Sequence, residues 1–68
     1  MTYVDRIKEL GRENEKTQLE IADMLQTSQT MYARYERAAN ELPIRHLISL
    51  ARYYNVTTDY LLRLTNKR

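Results

Sequence analysis

Cysteine, tryptophan and phenylalanine are absent from this chain of 68 residues, and glycine and proline occur once each. Without cysteine there is no disulfide framework and no thiolate metal site; such a composition suits a reducing compartment, and the cytoplasm is the expected address. His46 is the single histidine, so no second imidazole is at hand to complete a metal site. Apolar runs are a few residues long, and Met1-Thr2-Tyr3-Val4-Asp5 has neither a basic n-region nor an apolar h-region. Neither a membrane span nor a signal peptide is expected. Catalysis also lacks its usual parts, since no nucleophile–base pair, phosphate loop or metal constellation can be assembled. Glu9 with Glu13, and Glu20 with Asp23, fall at helical spacing, but solvated helix faces explain them better than acid–base chemistry. No cofactor is expected.

The length bounds what remains. Sixty-eight residues make one domain, 1–68, near the lower limit at which a hydrophobic core holds a fold without staples. There is no room for an effector-sensing or catalytic module. The formal net charge is +2, but the charge is unevenly spread: residues 1–29 carry four basic and six acidic side chains, and residues 30–68 carry seven basic and three acidic. A basic surplus confined to one half is the footprint of a polyanion-binding face, or simply a solvated one.

Hydrophobic spacing predicts helices throughout and no strand. Val4, Ile7 and Leu10 set a first helix over about Tyr3 to Glu13, with Gly11 inside it at a cost of about 1 kcal/mol against alanine. Thr17 and Glu20 form a T-x-x-E capping box that starts a second helix at Gln18. Ile21, Ala22 and Leu25 give it one apolar stripe. Ser28 caps a third helix after a turn of only a few residues, and a pair so closely joined is a helix-turn-helix. Pro43 is expected in the first turn of a fourth helix, with Ile44, Leu47, Ile48, Ala51 and Tyr54 as its buried face and Asn55 as its left-handed end. Thr57 caps a fifth, with Asp59 in its first turn and Leu61 and Leu62 as its apolar contacts. Residues 65–68 read as a frayed tail.

The third helix carries the chemistry. Tyr32 and Tyr35 mark its buried side, which leaves Gln29, Thr30, Ala33, Arg34 and Arg37 facing outward. Gln and Arg make bidentate hydrogen bonds to adenine and guanine edges in a major groove. Gln29 and Thr30 open the helix, where side chains reach base edges. Arg34, further along, reads a guanine or holds a phosphate. Ala33 and Met31 are placed to touch a thymine methyl, Met31 equally well as partial core. Tyr54 joins Tyr32 and Tyr35 in the core, Tyr60 and Leu64 are expected to stay exposed as a small dimer patch, and His46 is expected to be half-exposed.

Thr17-Gln18, Ile21-Ala22, Leu25, Ser28, Tyr35-Glu36, Pro43, Leu47, Leu50-Ala51, Tyr54, Val56-Thr57 and Asp59-Tyr60-Leu61-Leu62 stand in unbroken register with the family of phage Cro and lambda-type repressors, the XRE family. The chain resembles that family over nearly its whole length. The resemblance implies an all-α, compact five-helix domain, lambda-repressor-like, that binds double-stranded operator DNA as a homodimer on a palindromic site and regulates transcription. It implies a phosphate contact from Gln18, alongside the backbone N–H groups of its helix N-terminus. It places Arg37, Asn40 and Arg45 along the sugar-phosphate backbone, with Ser28 as both cap and phosphate donor. Three positions depart from the pattern. Gln26 and Ala38 stand where relatives have glycine, and Gly11 stands where relatives have an arginine paired with the glutamate matching Glu36. Glu36 must then find Arg12, Arg37 or solvent. A protein-docking module, such as an antitoxin holding its toxin, is the competing reading; it calls for a contiguous exposed apolar patch, whereas the outward face of the third helix is polar.

Overall fold

The computed structural model describes residues 2–68 and contains, among them, five α-helices and no strand. They are α1 (Tyr3–Glu13), α2 (Gln18–Met24), α3 (Gln29–Glu36), α4 (Ile44–Tyr54) and α5 (Thr58–Leu61). Their starts are built by side chains. Thr17 Oγ1 accepts from the Glu20 N–H at 3.1 Å while Glu20 Oε1 accepts from the Thr17 N–H at 3.0 Å, the expected capping box. Ser28 Oγ accepts from the Met31 N–H at 3.1 Å and Thr57 Oγ1 from the Tyr60 N–H at 3.0 Å. Pro43 lies one position outside its expected place: it is the N-cap of α4, and its carbonyl accepts from the N–H groups of His46 and Leu47.

The helix ends share one device. Glu15, Gln26, Ala38, Asn55 and Arg63 all have left-handed φ, between 55° and 64°, and none is glycine. In each case the next residue's N–H reaches five residues back, as from Thr27 to the Ala22 carbonyl and from Ala39 to the Arg34 carbonyl, both at 2.9 Å. These are Schellman closures. Each holds a side-chain-bearing residue in a region that costs such residues about 1–2 kcal/mol.

Helices α1, α2 and α3 pack together, and α5 joins α4 to α1. The core runs through Ile7, Leu10, Ile21, Leu25, Tyr32, Leu50 and Leu61, with Tyr32 fully enclosed. Burying each such side chain contributes about 1.5–3 kcal/mol. The buried face of α4 differs from the expected one. His46, Leu50 and Ala51 are buried, whereas Ile44 is 74% and Ile48 41% exposed. The stripe 46-47-50-51-54 sits about 90° around the helix from Ile44 and further still from Ile48, so both isoleucines fall outside it. His46 is therefore enclosed rather than half-exposed, its ring edge-on to Tyr35 at 5.8 Å. Burial, then the charge of Arg45, lowers its pKa below the ordinary histidine value.

Tyr60 is also buried, with 6% of its surface exposed, and cannot serve as a dimer patch. Its ring lies under Arg6, whose guanidinium carbon is 3.9 Å from the ring centroid. Arg68 approaches the same ring at 5.2 Å and donates from Nη2 to Glu13 Oε1 at 2.8 Å. Arg68 thus reaches back to α1 and to the Tyr60 ring. Leu62, just beyond α5, is half out of the core, at 39% exposure. No helix of the described residues is long and apolar enough to cross a membrane.

Candidate nucleic-acid interface

The outward side of α3 is bare. Gln29, Thr30, Arg34 and Arg37 are exposed and Ala33 is half-buried, while Tyr32 and Tyr35 on the opposite side anchor the helix. Positions 29, 30, 33, 34 and 37 therefore form one stripe at helical spacing, exposed except at Ala33. Met31 is half-buried against the core, in keeping with its packing role.

Two of the candidate residues hold each other. Arg34 Nε donates to Asn40 Oδ1 at 2.8 Å, which fixes the loop after α3 against the exposed stripe. The terminal nitrogens of Arg34 and the amide of Asn40 keep donors for a ligand. Arg37 is exposed at the helix end, where it caps α3. Ser28 spends its oxygen on the cap, leaving its hydroxyl proton available.

Arg45 is exposed at the start of α4 and lines a cleft of about 400 Å³ with Gln26, Thr27, His46 and Ser49. The cleft brings the turn between α2 and α3 face to face with α4. Arg45 thus stands opposite the turn that precedes the stripe.

Gln18 has a partner that residue spacing does not single out. Its Nε2 donates to Glu36 Oε1 at 2.9 Å. Glu36 is thereby satisfied by a neutral amide, neither by Arg12 nor by Arg37. Around this bond lies a second, smaller cavity of about 130 Å³, lined by Lys8, Gly11, Arg12, Lys16, Gln18 and Glu36. The Tyr32 and Tyr54 hydroxyls are buried nearby, that of Tyr32 facing Glu36. Burial first, then the negative charge of Glu36, pushes the Tyr32 hydroxyl far above the ordinary phenol range, and burial with the neighbouring Tyr53 and Glu36 pushes that of Tyr54 up to about 12. Lys8, Arg12 and Lys16 escape a reading of the charge distribution because they belong to the net-acidic half of the sequence. Lys8 and Arg12 share one face of α1 at a spacing of four, and the turn at Glu15 folds Lys16 back beside them.

A short capped helix, a tight turn closed by a left-handed residue and a second helix with a bare polar side define a helix-turn-helix protein. The family model described as Helix-turn-helix matches residues 7–61, and the chain belongs to this family, which is non-enzymatic. It is 31% identical over 64 residues to an uncharacterized HTH-type transcriptional regulator, YobD, of Bacillus subtilis (strain 168), a match covering 94% of this chain and 57% of the relative. The chain thus spans just over half the length of that relative. Its fold is that of the P22 c2 repressor, solved in complex with a synthetic operator, with a TM-score of 0.82, 22% identity, and coverage of 93% of this chain and 96% of the other. These likenesses bear out the resemblance to the phage repressors and the all-α five-helix architecture.

Proposed function

We propose that this chain is a sequence-specific, DNA-binding transcriptional regulator that acts in the cytoplasm, and that it represses by occupying a palindromic operator as a homodimer. The observation that carries this reading is the polar stripe of α3, on which Gln29, Thr30, Arg34 and Arg37 are exposed. Gln29 and Thr30 at its opening are the base readers, with Ala33 and Arg34 behind them, and Gln18, Ser28, Arg37, Asn40 and Arg45 hold phosphates. The P22 c2 repressor, with the same fold, is known in complex with operator DNA, and YobD is named as a transcriptional regulator.

For the dimer, Tyr60 gives way to an apolar groove lined by Tyr3, Leu42, Ile44, Leu47 and Leu62, none of them from α3. Leu64, 72% exposed, remains a candidate as well. A second copy seated there leaves both recognition stripes free, and twofold symmetry makes the bound site an inverted repeat.

Selection of bound duplexes from a random pool tests the whole reading. The expected product is an inverted repeat whose half-sites are centred about 34 Å apart, one turn of DNA. Failure to enrich any sequence at low ionic strength overturns it.

A further inference from the structure

We propose that Asn40 is a positioning residue for Arg34: it holds the guanidinium by Nε so that the two outer nitrogens form a fork for guanine, and each half-site carries a guanine beneath that fork. Resting on the DNA-binding reading, this names one base and the residue that orients its reader. The bond from Arg34 Nε to Asn40 Oδ1 is short, at 2.8 Å. Among the described residues it is the one hydrogen bond of the Arg34 side chain, and Nη1 and Nη2 have neither a hydrogen-bond nor an ion-pair partner.

Asn40 can do this because its loop is pinned on both sides. Ala38 turns the chain at a φ of 59°, and the Ala39 N–H then donates to the Arg34 carbonyl at 2.9 Å, which returns the chain to the residue whose side chain Asn40 holds. Two residues beyond Asn40, the Leu42 N–H donates to Tyr3 Oη at 3.3 Å and ties the loop to α1. Asn40 is half-buried, whereas Arg34 is exposed. A guanidinium held at Nε keeps Nη1 and Nη2 as two donors in one plane. Of the four bases, guanine alone presents two adjacent acceptors, O6 and N7, on its major-groove edge; adenine sets a donor beside N7. Place favours a base over the backbone. Arg34 stands inside the exposed stripe, one turn on from Thr30, while Arg37 closes α3 and Arg45 faces the turn before it. The Asn40 amide nitrogen stays available for a phosphate.

The test competes the duplex selected from the random pool against all its single-base variants, with the full chain as wild type, Arg34→Ala, Asn40→Ala and Asn40→Asp. Arg34→Ala is expected to erase a guanine preference of about 5- to 150-fold at one base pair per half-site. Asn40→Ala leaves the guanidinium to be ordered on binding, so it loses about two- to tenfold at that same pair and keeps its other preferences. Asn40→Asp retains an oxygen to accept from Nε but has no amide donor. It restores the guanine preference, even though its added negative charge weakens every duplex alike. Replacing that guanine with 7-deazaguanine, which lacks the N7 acceptor, weakens the wild type and leaves Arg34→Ala unaffected. Each readout is a ratio between duplexes, so a general loss of stability in a variant cancels. Uniform weakening of all duplexes by both Asn40 variants, a base other than guanine at the pair that Arg34→Ala relaxes, or a wild type indifferent to 7-deazaguanine overturns the inference and leaves DNA binding standing. A wild type that selects no sequence overturns both.

Discussion

Gln18 donates its side-chain amide to Glu36 at 2.9 Å, fastening the first turn of α2 to the last turn of α3 across 18 positions of sequence. The bond sets the two helices of the motif against each other at the end away from their turn. Removing either partner leaves the other half-buried and unsatisfied. A hydrogen bond to a charged group contributes about 1.5–3 kcal/mol when well enclosed, and partial exposure reduces it here. Gln18→Ala and Glu36→Ala are each expected to cost about 1–2 kcal/mol in denaturant unfolding, with a coupling of about 1 kcal/mol in the double variant. Strict additivity would show that the bond contributes nothing in solution.

The chain has its glycine where alanine suits and an alanine where glycine suits. Gly11 lies in the last turn of α1, and a Cβ there would meet the Ile21 Cδ1 at 3.5 Å and the Tyr54 hydroxyl at 3.7 Å, ordinary contacts. Ala38 closes α3 at a φ of 59°, the left-handed region that favours glycine. Gly11→Ala and Ala38→Gly are therefore both expected to stabilise, each by about 0.5–1 kcal/mol. The sites are distinct and the gains should add. Thermal melting of the two single variants and the pair decides it, and a fall in Tm for either would contradict the local argument made for it.

Legibility in the sequence depends on whether the controlling contact is local. The capping boxes and caps at Thr17, Ser28 and Thr57, and the left-handed Asn55, involve partners within five residues, so spacing alone locates them. Contacts between distant segments are what spacing misplaces. Tyr60 sits in a four-residue helix too short to show a periodicity, and its cover is Arg6, a residue type that reads as solvated. The apolar stripe of α4 is wider than the core requires. Which edge is buried, His46 rather than Ile44, depends on where Tyr35 stands. For Glu36, chemistry favours a cation, and only the folded geometry brings Gln18 to it.

The enclosed His46 makes stability depend on mild acid. Its folded pKa lies below the ordinary 6.5, by burial and then by the charge of Arg45. Between those two values the unfolded chain binds the proton more readily, so stability falls as the pH drops below about 6.5 and levels off once the folded pKa is passed. Glu13 and Glu20, held low by the Arg68 and Thr17 hydrogen bonds, act with the same sign but only below the ordinary carboxylate value of 4.5. Denaturation measured from pH 7.5 to 5.5 therefore isolates the histidine. The wild type should lose stability over this window, and His46→Gln should remove that part of the slope even though it is less stable throughout. Parallel pH profiles would show that the imidazole titrates freely.

Gln29 tests whether α3 reads sequence or merely lies against DNA. It is exposed in the first turn, with no tertiary packing that a truncation would disturb, so Gln29→Ala should leave the melting temperature nearly unchanged. A bidentate glutamine–adenine pair is worth about 1–3 kcal/mol of discrimination. The variant should therefore lose about that much on the preferred duplex and almost nothing on a duplex altered at the one base pair Gln29 reads. Arg37→Ala supplies the contrast: removing a phosphate-binding cation weakens every duplex alike and flattens the salt slope by about one unit. If Gln29→Ala behaves as Arg37→Ala should, with a uniform loss and a flatter slope, then Gln29 faces the backbone and the reading positions must be sought further along the stripe, at Ala33 and Arg34.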